Sequence, residues 1–236
     1  MNSASLGVKA QVAARVALLL RRSSLFRALP PAAISRLAAG STQLNMVRGE
    51  QLVAAGEPSS GLYTVTSGHI VMIVGVMEGP GKVIDIIGAN GHIGLADVVL
   101  GACHTTRAEA LTDSALILTP LKTLSECGNA VTELWPQLAA ALSRQTCGLI
   151  ADVAAFSLNT GRERIARYLL EIAAARGSRQ HLVTLPAKKS IIASRLNLTP
   201  EYFSRMLHEL IVARVIAVNG RQITIIDPAR LHGRDA

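Results

Sequence analysis

The tetrapeptide Asn197-Leu198-Thr199-Pro200 constrains the chain more than any other segment, because it stops one helix and starts another within four residues. Thr199 suits an N-cap, and Pro200 suits the first helical position, where no backbone N–H is needed. It lies inside residues 188–227, KKSIIASRLNLTPEYFSRMLHELIVARVIAVNGRQITIID, which reads as helix, tight turn, second helix and hairpin. Ile192, Ala193 and Leu196 supply the core of the first helix. In the second, Phe203, Met206, Leu207 and Leu210 recur at i, i+3, i+4, i+7, the spacing of one buried stripe. Glu201, Ser204, Arg205 and His208 repeat that spacing on the opposite face. Two apolar-rich runs, 215–218 and 222–226, then flank Asn219-Gly220, the strongest short-range signal for a type I′ turn.

A helix presenting a carboxylate, a hydroxyl and a guanidinium within two turns suits the major groove. There Arg pairs with guanine O6/N7 and Glu accepts from cytosine N4. Two amphipathic helices and a hairpin also make an ordinary packing unit, but four independent signals agree on a winged helix-turn-helix that reads DNA. Charge supports this: residues 159–236 hold 13 Lys and Arg against 6 Asp and Glu, whereas residues 1–158 hold 11 against 10. The basic surplus is confined to the part that would touch phosphate. Lys188, Lys189 and Arg195, with Thr199, are the candidates for backbone contacts, which position a protein without reading sequence.

Ahead of this region, strand-like runs at 43–47, 61–66, 69–76, 83–87, 105–111 and 115–118 are separated by turn signals such as Ser67-Gly68 and Gly79-Pro80-Gly81. Many short strands at this spacing predict a small β-barrel or jelly roll, not a parallel sheet. A helical run over 131–158 follows, in which Leu134, Leu138, Leu142, Leu149 and Phe156 form an apolar stripe with spacings of 4, 4, 7 and 7. That spacing suits a coiled-coil-like dimer seam. A helix packed on the barrel is the simpler alternative, and different faces can do both. The class is therefore α+β: a β-barrel domain over 1–128, a dimerisation helix over 129–158 and a winged helix-turn-helix over 159–236, with Asn159-Thr160-Gly161 as the hinge.

Mean hydropathy is +0.35, yet no run of about 18 apolar residues exists that could span a bilayer. The nearest candidate, 8–20, is interrupted by Lys9, Gln11 and Arg15 and lacks a signal-peptide layout, so a cytoplasmic protein without membrane attachment is expected. Cys103, Cys127 and Cys147 have no metal-binding spacing, and three scattered cysteines are no disulfide framework. No paired-carboxylate, metal-ligand or nucleophile–base pattern is present, and the glycine-rich 79–94 stretch has neither GxGxxG nor Walker spacing. An enzyme is not expected.

Glu201-Tyr202-Phe203-Ser204-Arg205 resembles the Glu-x-x-Ser-Arg motif in the FNR-like branch of the CRP/FNR superfamily of bacterial transcription factors. Leu25-Phe26…Leu29-Pro30, Arg48-Gly49-Glu50, Gly56-Glu57-Pro58 and Leu62-Tyr63…Val65…Ser67-Gly68 extend the resemblance over most of the chain. It is nearest to the Dnr/NnrR type, which regulates denitrification in response to nitric oxide. The resemblance implies a cyclic-nucleotide-binding-like jelly roll, a homodimer, a double-stranded operator and RNA polymerase as partner. Pro200 stands where cAMP-receptor proteins carry an operator-contacting Arg, which favours a TTGAT…ATCAA palindrome. Glu201 and Arg205 would read its C·G and G·C pairs, and Ser204 would discriminate their neighbours.

The effector pocket implied by the family falls on Gly91, Gly94, Leu95, Thr105 and Thr106. Leu95 replaces the ribose-binding Glu, and Thr105-Thr106 replace the Arg-Ser pair of cyclic-nucleotide binders. A nucleotide phosphate would lose its charge-assisted partner, and strand alternation turns Arg107 to the opposite face. Haem is the cofactor implied by the Dnr type, with His69, His92 and His104 as its possible ligands; Ser23-Ser24 stand where that type carries histidines. An iron–sulfur cluster is not expected, since no cysteine precedes Cys103. Another small ligand for the barrel, or a non-DNA-binding regulatory subunit, are the alternatives.

Overall fold

The computed structural model describes residues 3–75, 81–175 and 182–231. The chain divides into two compact units, Met1–Cys147 and Gly148–Ala236. The first opens with helices α1 (Ser3–Arg22) and α2 (Pro31–Gly40), then strands β1 (Thr42–Met46), β2 (Gln51–Val53), β3 (Gly61–Ser67), β4 (Ile70–Val74), β5 (Lys82–Ile87) and β6 (His92–Ile93). Helix α3 (Leu95–Leu100), strands β7 (Arg107–Ala110) and β8 (Ser114–Pro120), and helices α4 (Leu121–Ala130) and α5 (Leu134–Leu158) follow.

The strands form two antiparallel four-stranded sheets, ordered β1-β8-β3-β6 and β2-β7-β4-β5. They do not close into a barrel; the arrangement is jelly-roll-like. Both sheets contribute to one core: Met46, Tyr63, Val65, Ile93 and Leu116 from the first, Val53, Ile70, Ala108 and Ala110 from the second. Alternation explains the selection, since Ala108 and Ala110 are buried while Arg107 and Glu109 point the other way. Gly68 makes the β3–β4 turn possible: its φ is +81°, and a Cβ there would lie 2.6 Å from the Asp113 carbonyl oxygen.

A second core lies among the helices. Leu25, Phe26, Ile34 and Leu37 meet Leu62, Ile117, Leu124, Leu134 and Leu138, all at most 1% exposed. The helical run expected over 131–158 is α5, which starts at Leu134; a separate helix not expected from the sequence, α4, precedes it directly after Pro120, with Val131-Thr132-Glu133 between the two. The expected strand 69–76 occupies Ile70–Val74, and Val76, Gly79 and Pro80 lie outside the described residues.

The second unit contains the end of α5, α6 (Gly161–Ala175), β9 (Leu182–Thr184), α7 (Lys189–Arg195), α8 (Pro200–Val212), β10 (Ile216–Asn219), β11 (Gln222–Ile225) and α9 (Pro228–Leu231). The hairpin is the outer pair of a three-stranded sheet ordered β10-β11-β9. Its turn sits one residue later than a type I′ turn at Asn219-Gly220 requires. Asn219 pairs with Gln222, and of the two residues between them only Gly220 has positive φ, at +59°. A type I′ turn needs positive φ at both. Arg221 is held down instead: Nε and Nη2 donate to the Leu185 carbonyl at 3.0 and 2.7 Å, and Leu185 N donates to the Arg221 carbonyl.

Candidate nucleic-acid interface

The α7–α8 turn follows from its residues. Asn197 takes the left-handed conformation at φ +56°, and Leu198 N donates to the Ala193 carbonyl at 2.9 Å. Thr199 caps α8, its hydroxyl oxygen accepting from Tyr202 N at 3.2 Å, and Pro200 opens the helix. Phe203, Met206, Leu207 and Leu210 are buried, whereas Glu201, Ser204, Arg205 and His208 are exposed. The three expected base readers therefore share one outward face. Arg205 Nε lies 3.9 Å from Glu209 Oε1 with both side chains more than half exposed, a pairing too weak to withhold the guanidinium. The same guanidinium lies over the Tyr202 ring at 5.1 Å.

Lys188, at the α7 N-cap, and Lys189 are exposed, as is Thr199. Arg195 departs from the solvated charge that a phosphate contact would need. Its Nη2 lies 2.6 Å from Asp152 Oδ2, with the side chain 18% exposed. Arg167 Nη2 takes the other oxygen of Asp152 at 2.9 Å, and Arg167 Nη1 donates to the Ala151 carbonyl. One carboxylate on α5 thus fastens α6 and α7, so Arg195 holds the domain together. Asp152 carries no periodic signal in the sequence, because its partners are 15 and 43 positions away. At the expected hinge, Thr160 N donates to Glu163 Oε2 at 2.7 Å and Glu163 N to Thr160 Oγ1 at 3.3 Å, a capping box. Those bonds hold the Glu163 carboxyl below its ordinary range.

In the first unit, Gly94 (φ +88°) precedes α3, and Leu95 is buried in the helical core beside Val98. Gly91 lies in the loop before β6, while Thr105 and Thr106 lie in the loop before β7, exposed and half-buried respectively. The bond linking α3 to that loop joins the candidate ligand His104 to Asp97, which the sequence did not single out: His104 Nδ1 and Asp97 Oδ2 are 2.7 Å apart, with His104 buried. Arg107 pairs with Glu109 at 2.9 Å on the sheet face away from the core, where both line a cleft of about 340 Å³ with Gln51, Ala54, Ala55, Ile73 and Gly75.

The three candidate haem ligands are engaged within the domain. Both ring nitrogens of His92 meet hydroxyls, Nε2 with Ser23 at 2.7 Å and Nδ1 with Thr64 at 3.1 Å. Burial pushes its pKa down to about 4. With both nitrogens engaged, His92 does not offer a free lone pair. His69 follows the Gly68 turn and is half-buried. His104 has the arrangement common to metal-binding imidazoles, one nitrogen oriented by a carboxylate. His181 and His232 lie outside the described residues. Among the described residues no cluster of His, Cys, Asp and Glu could hold a metal ion, and no helix is long and apolar enough to cross a membrane.

The expected seam divides. Leu134 and Leu138 are spent in the first unit's own core, with Leu142 packed partly against it. Leu149 remains 46% exposed, beside Ile150 at 63% and Val153 at 64%, while Phe156 is half-buried under the Arg164 guanidinium. Leu149, Ile150 and Val153 therefore form an uncovered apolar patch on α5, and Leu158 at its end is exposed as well.

Two family models match in tandem, "Cyclic nucleotide-binding domain" over residues 43–129 and "Crp-like helix-turn-helix domain" over 163–234. The "Fumarate and nitrate reduction regulatory protein" of Vibrio cholerae is 26% identical over 187 residues, covering 78% of this chain and 74% of that protein. The structure of FixK2 from Bradyrhizobium japonicum is 24% identical, covers 83% of this chain and 98% of its own, and superposes with a TM-score of 0.76. That of DNR from Pseudomonas aeruginosa is 28% identical, covers 92% and 96%, and gives 0.50. A jelly-roll-like domain, a long helix and a winged helix-turn-helix with an outward polar face, matched in this order, make the chain a DNA-binding transcription regulator of the CRP/FNR type.

Proposed function

We propose that the chain acts as a homodimer that binds a TTGAT…ATCAA palindrome and shifts its grip on that operator in response to a signal sensed by the jelly-roll domain. The observation that carries this reading is the single outward face of α8, where Glu201, Ser204 and Arg205 are exposed over a stripe of four buried apolar residues. Arg205 would pair with guanine O6/N7, Glu201 would accept from cytosine N4, and Ser204 would help discriminate the neighbouring pairs. Lys188, Lys189 and Thr199 would hold phosphates. Leu149, Ile150 and Val153 would face their copies across a two-fold axis, the symmetry a palindrome demands. Fluorescence anisotropy on a duplex whose half-site centres are about 10 bp apart tests it. Tight binding that a scrambled duplex of equal charge does not reproduce is expected; equal binding to both would overturn the reading.

For the signal, the resemblance to the Dnr type and the fumarate and nitrate reduction relatives favour nitric oxide, redox state or low oxygen over a cyclic nucleotide. The thoroughly aliphatic replacement at Leu95 and the outward turn of Arg107 support setting the nucleotide aside. Haem is the group to test first. Bound, it would supply an iron that takes a diatomic gas; the chain would supply His104, oriented by Asp97, or His69. Anaerobic titration should give a saturable Soret band, one haem per subunit, that shifts with nitric oxide and is lost in His104→Ala or His69→Ala. Non-saturating binding would remove haem and turn attention to another small ligand. A cytoplasmic setting and contact with RNA polymerase belong to the same proposal.

A further inference from the structure

Gly161 occupies a position where nothing in the backbone calls for glycine. It begins α6, its φ is not positive, and alanine is the better helix former. What excludes a side chain is Tyr202. An added Cβ would lie 2.8 Å from the Tyr202 hydroxyl oxygen and closer still to Cε1, and Gly161 is buried beneath the ring. Tyr202 in turn has its backbone fixed by the Thr199 cap and carries the Arg205 guanidinium over its ring at 5.1 Å. The first residue of α6, one aromatic ring and a base-reading side chain therefore stand in direct succession.

We propose that Tyr202 is the positioning residue for Arg205, and that the α6 N-terminus sets Tyr202 through the notch at Gly161. A cation held over a ring loses rotamer freedom before DNA arrives, so less is lost when it docks on guanine. The junction between α5 and α6 is capped by Thr160 and Glu163, so a shift of that junction moves Gly161 and with it the surface on which the ring rests. The aim of one base contact then reports the position of the junction. This rests on the reading of Arg205 as a base contact.

The test uses the full chain and two duplexes, the palindrome and one in which the G·C pairs assigned to Arg205 become A·T. The quantity read is the ratio of the two affinities by anisotropy. Tyr202→Ala should lower that preference about two- to fivefold, the worth of a solvent-accessible cation–π contact. Tyr202→Phe should retain it, since the ring remains. Gly161→Ala should lower it to a similar degree, because the methyl group displaces the ring. The double substitution should be no worse than Tyr202→Ala alone. Lys189→Ala should leave the ratio unchanged while weakening both duplexes. If Tyr202→Ala does not fold, Gly161→Ala decides: an unchanged preference overturns the inference. Should Arg205→Ala itself leave the preference intact, base reading by Arg205 has failed. Should Arg205→Ala erase it while Tyr202→Ala and Gly161→Ala do not, only the positioning role falls.

Discussion

A carboxylate on α8 and a buried imidazole in the jelly-roll domain do different work, and substitution separates them. Glu201 is exposed in the first turn of α8, where a negative side chain also favours the helix N-terminus, so Glu201→Ala removes a base contact and a small helix term. Its expected cost is about 1–3 kcal/mol against the palindrome and far less against a duplex substituted at its C·G pair. A uniform loss across sequences would deny Glu201 a reading role. His92 behaves oppositely, as a structural residue with a pH signature. Its pKa falls from an ordinary 6.5 to about 4 by burial, so the folded state refuses a proton that the unfolded chain accepts. Its contribution is whole above pH 6.5, is lost progressively as pH falls towards 4, and amounts to up to about 3 kcal/mol. Thermal melts between pH 7 and 4 should show that slope, and His92→Gln should flatten it. The polar face of α8 was legible in the sequence because exposure there follows a 3.6-residue period. The commitment of Arg195 to Asp152 was not, since an ion pair across 43 positions leaves no local pattern.

Among the elements, α5 shows how one periodic stripe is divided between two uses. Leu134 and Leu138 fill the first unit's core, and the next two turns, 143–151, are exposed throughout. An uninterrupted stretch of exposed helix containing Leu149 and Ile150, followed by Val153, is costly to leave in water. A charge there should separate a dimer without touching either core. Ile150→Glu is expected to sediment as a monomer, to melt with little change in far-ultraviolet ellipticity, and to bind the palindrome no better than a half-site. Dimeric sedimentation of this variant would move the interface elsewhere on the molecule. Element identity was readable where runs are long: α8, α5 and strands β1, β3, β4, β5, β7 and β8 fall within a few residues of their expected places. β2 and β6 were not, because three and two residues carry too little alternation to register. β9 was missed for the same reason, and the two-sheet form over a closed barrel depends on pairings between strands far apart in sequence.

For the whole molecule, the distribution of charge carries a count of how many copies grip the DNA. Thirteen Lys and Arg against six Asp and Glu in residues 159–236 concentrate the positive field on the DNA-reading end, while residues 1–158 are nearly balanced. Each phosphate neutralised releases condensed counterions, and log K falls against log salt with a slope of about −0.9 per contact on duplex DNA. A lysine that touches phosphate therefore contributes once in a monomer and twice in a symmetric dimer. Lys189, exposed beside the α7 N-cap, is the residue to remove, because it is outside the Asp152 network and the α8 reading face. On the full palindrome, Lys189→Ala should make the slope shallower by about two; on an isolated half-site, bound by Ile150→Glu as a monomer, the same change should be about one. The two duplexes differ only in how many recognition helices they seat, so the ratio is independent of the absolute affinity. A change of about one on both would mean that a single protomer holds the palindrome. No change on either would remove Lys189 from the phosphate contacts and leave Lys188 and Thr199 to position α8.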